Sequence, residues 1–377
     1  MKSISFISVL LLLFISTISS TTTSGTPEPS CFCPIPASAS SESVSTPSVT
    51  LSPPLPSPTY FPGDWGTSYY PLFDGLRMHF RCWVNPNITS GETMILDSGL
   101  PFFSTSFSAV IEELIPVMTA NSIKRACVVD RHGYGWSQPA PYPFDSFESV
   151  RRMRGSLNAM NLCPPFVLLG WSWGSIDVQT WAAYYPSEVR GLITVDGSDI
   201  GMLKDPSWDT TIPNLQTLFS SYIVQNNNGL LRDYGDDGFI DEFYGWIKPT
   251  ANIPTGTITK SQDIFVHPSN RYLTTSKQEF SIMMSSADFL NQTYEAATTA
   301  YPLLNIPFFI YTCGTNGVDW VNRHNAMALL SSQSSHHVDY TTTHLIPLEH
   351  ANLVIDDIIV PFFDLLALSS PTSATTC

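Results

Sequence analysis

Short apolar runs that alternate with segments of helical spacing constrain this chain more than any other feature. Residues 93–96, 126–130, 166–169, 191–196 and 306–312 are brief, nearly continuous apolar runs. Residues 107–120, 147–160, 175–185 and 322–330 place apolar side chains at helical intervals. A strand covered on both faces loses the in–out alternation of a half-exposed strand and becomes a solid apolar run. Strands of that kind interleaved with helices predict an α/β chain with a mostly parallel central sheet flanked by helices. Residues 76–83 alternate like a half-buried strand, 337–341 form the last strand, and 351–366 form a closing helix.

The alternation pauses between residues 201 and 301, too long an excursion for a connecting loop. Helical spacing within it, around 215–224, 239–247 and 276–300, predicts an inserted helical cap. Its aromatic residues, Trp208, Phe219, Tyr222, Tyr234, Phe243, Tyr244 and Trp246, either line a substrate cleft or form the cap's own small core. The core is then divided into 63–200 and 302–368.

The termini read differently. Residues 1–20 carry Lys2 and then an apolar stretch ending in small polar residues, the pattern of a secretory signal peptide. Residues 21–62 are rich in Ser, Thr and Pro and predict a disordered linker; 369–377 form a disordered polar tail. No later stretch is apolar over the ~20 residues a membrane span needs, so no stable span is expected after signal cleavage. A net charge of −15 argues against nucleic acid or an anionic membrane as partner, because phosphate contacts need clustered Lys and Arg. Of the seven cysteines (31, 33, 82, 127, 163, 313 and 377), some should pair in an exported chain, with at least one left over. Cys127 and Cys313 fall in buried strands, where they also fit as small apolar residues. Asn87-Ile88-Thr89 and Asn291-Gln292-Thr293 are glycosylation acceptor triplets, consistent with an exported glycoprotein.

The chemistry concentrates at Gly170-Trp171-Ser172-Trp173-Gly174, a G-x-S-x-G that closes an apolar run and opens a helix. In a nucleophile elbow the serine sits at the apex of such a turn, and the helix N-terminus behind it favours developing negative charge. A serine hydroxyl is weakly nucleophilic near neutral pH and needs an adjacent base. No metal-ligand spacing appears, and no cofactor is implied; His336 and His337 are adjacent, so they point to opposite faces of a strand.

Four motifs in order resemble the α/β-hydrolase fold superfamily, in its serine hydrolase branch of capped esterases, lipases and aminopeptidases. Residues 93–101 resemble the strand and oxyanion loop, with Asp97-Ser98-Gly99 where His-Gly is usual. Asp130-Arg131-His132-Gly133-Tyr134-Gly135-Trp136-Ser137 resembles the D-x-x-G-x-G-x-S element, and the elbow is the third motif. The fourth runs from His344 to Val354, with Thr343 and Ala351 replacing the usual Gly and Pro. The resemblance covers residues 76–366 and implies Ser172 as nucleophile; a serine there disfavours the branches that use a carboxylate.

His344 follows the last strand and is the expected base, ahead of His350. The acid stays open between Asp196, which ends the sixth strand, and Asp319, after the seventh, with Asp199 as a further candidate. The oxyanion hole implied by the resemblance uses the backbone N–H groups of Leu100 and Trp173. Trp171 and Trp173 either wall an acyl pocket or pack the elbow. The expected substrate is a small-molecule ester or amide, cleaved as a carboxylic ester through an acyl-enzyme. A prolyl or small-peptide aminopeptidase is the alternative enzyme, with Asp236, Asp237, Asp241 and Glu242 as candidate holders of a free amine. A catalytically silent binding module on the same scaffold is the alternative outside enzymes. The sequence leaves oligomeric state open.

Overall fold

The computed structural model describes residues 53–233, 254 and 256–368. The expected signal peptide, most of the expected linker, the tail, Tyr234, Phe243, Tyr244, Trp246 and the acidic group 236–242 lie outside these residues.

An eight-stranded sheet forms the centre, in the order β1-β4-β6-β5-β7-β8-β9-β10. Its strands are β1 (Thr67–Tyr69), β4 (His79–Val84), β5 (Glu92–Asp97), β6 (Ile123–Asp130), β7 (Phe166–Trp171), β8 (Val189–Val195), β9 (Phe308–Cys313) and β10 (Ser334–Asp339). β1–β4 and β4–β6 are antiparallel; every later pairing is parallel. β7 and β9 are buried at every position, as their solid apolar runs require. Burying each large apolar side chain there contributes about 1.5–3 kcal/mol.

The expected strand over 76–83 is split. Leu76–Arg77 (β3) pairs with Leu72–Phe73 (β2) in a separate hairpin, and β4 alone joins the sheet. Asp74 and Gly75, between β2 and β3, both have positive φ (48° and 75°), the backbone of a two-residue turn that folds the chain back on itself.

Helices α1 (Ser108–Val117), α2 (Ser146–Ala159) and α3 (Gly174–Tyr184) follow β5, β6 and β7. Between β8 and β9 the described residues form only helices: a 3-10 turn over Ile200–Lys204, α4 (Trp208–Asn227), α5 (Leu230–Asp233), α6 (Thr257–Phe265) and α7 (Arg271–Glu295). Phe219 of α4 packs on Phe280 of α7, ring centroids 5.4 Å apart. Trp208, Phe219 and Tyr222 are all buried; Phe219 and Tyr222 pack together in the core of the insertion, whereas Trp208 lines a cavity. α7 also rests on α3, where Phe289 stacks on Tyr184 at 5.4 Å. α8 (Val318–Ala328) follows β9, and Ala351–Leu353, Val354–Ile359 and Val360–Leu368 close the fold.

Two expectations change. Residues 53–62 are anchored to the core at a few points: Tyr60 is 1% exposed, and the Pro56 and Tyr60 carbonyls accept hydrogen bonds from the Trp136 indole and the Thr257 hydroxyl. One large aromatic ring and carbonyls left free by proline-rich backbone are enough to dock this stretch. Cys127 is not merely a small apolar residue. The β4–β6 register sets it opposite Cys82, and the two form a disulfide. Cys163 is disulfide-bonded as well, while Cys313 is buried and free.

Candidate active site

The carboxyl ends of β7 and β8 carry the site. β7 stops at Trp171, Ser172 takes a left-handed φ of 51°, and α3 begins at Gly174. One strand over, β8 stops at Val195 and Asp196 is also left-handed, with φ 43°. This conformation is uncommon for residues with a Cβ, and at strand ends it lifts the side chain clear of the sheet edge. The turn is possible because its neighbours lack side chains. A Cβ on Gly174 would lie 2.4 Å from the Asp97 carbonyl oxygen, and one on Gly99 would lie 2.8 Å from Ser172 Cβ. The elbow and the loop after β5 therefore close onto each other.

His344, 8% exposed, comes from the loop after β10. Its Nε2 lies 2.9 Å from Ser172 Oγ and its Nδ1 2.6 Å from Asp196 Oδ2. The Trp171 indole donates to the His344 carbonyl at 2.9 Å, so the residue before the serine anchors the histidine loop. Asp196 is fully buried and accepts further hydrogen bonds from Cys313 N (2.8 Å), Trp320 Nε1 (2.6 Å) and Asn316 Nδ2 (2.8 Å). Burial alone raises a carboxyl pKa. Here the His344 hydrogen bond and charge, the nearby His324 and the Trp320 N–H outweigh burial and hold Asp196 below the usual carboxylate range.

Asp319 is not brought to the histidine. It is exposed in the first turn of α8 and faces an outer cavity, while its neighbour Trp320 turns inward to Asp196. Asp199 caps the turn at Ile200–Lys204 and pairs with Arg323 at 3.0 Å. His350 sits at the junction of Ile346–Glu349 and Ala351–Leu353. Trp320 and Asn316 were not legible as partners of Asp196. No local pattern marks them; their partner is more than a hundred residues away.

Leu100 and Trp173 line the same small cavity as Ser172 and His344, with Met202, Trp208, Phe280 and Met283 as its apolar wall. Neither backbone N–H has a hydrogen-bond partner among the described residues. Buried N–H groups seldom go unpartnered, so two beside one serine are suited to receive an external oxygen. Trp173 is both a neighbour of the serine and 2% exposed packing.

The departure at Asp97-Ser98 has a structural counterpart. Arg131, buried behind the loop, donates to Asp97 Oδ1 (2.8 Å) and the Ser98 carbonyl, and forks onto Glu279 of α7 at 2.9 and 3.1 Å. Asp177 of α3 lies 3.9 Å from the same guanidinium. Three buried carboxylates around one cation cannot all stay ionised. Burial, reinforced by the charge of Asp97, pushes the Asp177 carboxyl well above its ordinary value, and burial raises the Asp97 carboxyl as well.

A second Ser, His and Asp also line up. His79 Nδ1 lies 2.7 Å from Asp130 Oδ2, and Nε2 lies 2.9 Å from Ser68 Oγ. Arg81 also donates to that hydroxyl at 3.1 Å, and Asp130 is bound by the N–H groups of Ser104 and Trp136. This set stitches β1 to β4 and β6, and Ser68 lies on strand β1 rather than at an elbow. The same residue types serve structure here.

Among the described residues no group of three or more His, Cys, Asp or Glu could hold a metal ion. No helix among them is long and apolar enough to cross a membrane.

Comparison with known proteins agrees with this architecture. Residues 104–226 match the family model described as alpha/beta hydrolase fold. Pimeloyl-[acyl-carrier protein] methyl ester esterase of Shewanella woodyi is 28% identical over 142 residues, 37% of this chain and 50% of that protein. The chain spans half or less of the length of the curated relatives it matches. A thermophilic esterase of Thermogutta terrifontis superposes with a TM-score of 0.53 at 19% identity, covering 80% of this chain and 98% of that one. The epoxide hydrolase CorEH superposes equally well, TM-score 0.53 at 15% identity, covering 80% and 99%. At such identities the likeness is one of fold.

Proposed function

The chain belongs to the α/β-hydrolase fold, and from that premise we propose that it is a secreted serine hydrolase that cleaves carboxylic esters through an acyl-enzyme on Ser172. The observation that carries this is the unbroken run Ser172–His344–Asp196 opening on a cavity with two amides that have no partner among the described residues. A serine at the elbow favours acyl transfer over epoxide opening, which in this fold uses a carboxylate.

In the first step Ser172 Oγ bonds to the ester carbonyl carbon while its proton passes to His344 Nε2. The carbonyl oxygen, now negative, accepts from the N–H groups of Leu100 and Trp173. Collapse breaks the bond to the alkoxy oxygen, which takes the proton from Nε2 and leaves as the alcohol. Water then attacks the acyl carbon, gives its proton to His344, and the acid departs as Ser172 recovers that proton. Asp196 stays ionised throughout and stabilises the imidazolium. The apolar wall of Met202, Trp208, Phe280 and Met283 suits an apolar acyl group.

Export is supported by the apolar N-terminal segment together with the Cys82–Cys127 disulfide, since disulfides persist in oxidising compartments. A fluorophosphonate probe should label the purified protein and fail to label Ser172→Ala. A panel of p-nitrophenyl esters against amino-acyl amides should show turnover of the esters. Label retained in Ser172→Ala, or turnover of amides alone, overturns the proposal.

A further inference from the structure

The cavity at Ser172 measures about 40 Å³, whereas small-molecule sites run to roughly 300–1,000 Å³. An ester centred on Ser172 must extend beyond it. Next to it lies an outer cavity of about 1070 Å³, between the Ile200–Lys204 turn, the end of α7 and α8. One residue lines both: Arg323. Its Nε is held by Asp199 at 3.0 Å, and its guanidinium lies 4.8 Å over the ring of Trp320, whose indole N–H supports Asp196. The terminal guanidinium nitrogens have no hydrogen-bond partner among the described residues.

Resting on the ester-hydrolase proposal, we propose that the outer cavity receives the alcohol half of the ester, past Arg323, and that this alcohol is hydroxyl-rich: a sugar or a polyol. The inner cavity's apolar wall takes the acyl chain. The outer wall mixes acceptors (Asp205, Asp288, Glu295, Asp319) with donors (Lys204, Asn322). A hydroxyl both donates and accepts, so it satisfies such a wall from either side. An anionic alcohol meets a majority of carboxylates. A plain alkyl chain offers these polar groups nothing in place of the water it displaces, which costs free energy.

The test uses butanoate esters that differ only in the alcohol: butyl, glyceryl, glucosyl and cholinyl, with kcat/KM followed by acid release from the purified full chain. The glyceryl and glucosyl esters should exceed the butyl ester at least tenfold. Asn322 is exposed on α8, so Asn322→Trp narrows the outer cavity without disturbing the core. It should lower the glucosyl-to-butyl ratio at least fivefold, mostly through KM. Asn291 also lines this cavity, so the comparison is repeated with Asn291→Gln to remove any glycan there. An unchanged ratio in Asn322→Trp, with Ser172 still labelled by the fluorophosphonate, overturns the outer-cavity proposal alone. Preference for the cholinyl ester overturns the polyol class. Absence of Ser172 labelling overturns the ester-hydrolase proposal and this one with it.

Discussion

Arg131 and Glu279 face each other through two parallel hydrogen bonds, Nε to Oε1 at 2.9 Å and Nη2 to Oε2 at 3.1 Å, in the interior between the sheet and the helical insertion. The arginine follows β6 and the glutamate belongs to α7, so one planar fork fixes the helical insertion to the loop that carries Leu100. Removing one partner of a buried ion pair costs about 3–5 kcal/mol. Arg131 keeps Asp97, so Glu279→Gln should fall at the low end, about 3 kcal/mol, in urea denaturation. Arg131→Lys loses the fork and the hold on the Ser98 carbonyl, and should lower kcat for an ester more than it raises KM. An unaltered unfolding midpoint in Glu279→Gln rules the latch out.

The upward shift of the Asp177 carboxyl makes stability depend on pH. Its folded pKa is raised by burial and by Asp97, above an unfolded value near ~3.9. An acid shifted upward gives stability that is complete below the unfolded value and is lost as pH rises toward the folded one. Asp177→Asn keeps the shape and removes the titration. Relative to the native chain, the variant should gain stability steadily from pH 4 upward. A difference that does not vary with pH contradicts the assignment.

Asp196 is shifted the other way. A carboxylate whose folded pKa is depressed gives stability present above the unfolded value and lost as pH falls through the folded one. Asp196→Asn should therefore be less stable than the native chain at pH 7, with the gap closing below pH 4. On the proposed mechanism kcat falls by roughly 10³–10⁴, because the imidazole loses its orientation and its counter-charge. Asp319→Asn, on the exposed turn of α8, should leave kcat on the butyl ester, whose alcohol makes no hydrogen bond to the outer wall, within about twofold on the scale of surface substitutions. Reversal of these two results moves the acid to Asp319.

Ser172 stores backbone strain at φ 51°. A left-handed residue with a Cβ costs about 1–2 kcal/mol, a penalty that glycine escapes. Ser172→Gly should thus be at least as stable as Ser172→Ala by thermal unfolding, the reverse of the order at an ordinary helix or strand position, while both lose turnover.

The His79 set predicts a stability defect without loss of the labelled serine. His79→Ala leaves Asp130 buried beside an emptied site, at a cost of about 2–3 kcal/mol. Fluorophosphonate should still label Ser172 in that variant. Label on Ser68 in Ser172→Ala would show that the two sets are chemically alike.

The sequence by itself determined the class of the fold and the place of the elbow. Both are local signals: solid apolar runs in strands buried on two faces, and glycines where a turn leaves no room for a Cβ. It also gave the order in which Ser172, a carboxylate and His344 follow along the chain. Tertiary structure alone set Asp196, and not Asp319, against His344, because that contact depends on which strand end lies beside β7 and on a helix turn that points Trp320, not Asp319, inward. It alone paired Cys82 with Cys127, docked residues 53–62, and gathered Asp97, Asp177 and Glu279 around Arg131. Each is a contact between segments far apart in the chain. Their meeting is fixed by sheet order, strand register and helix packing, and no short stretch of residues encodes those quantities.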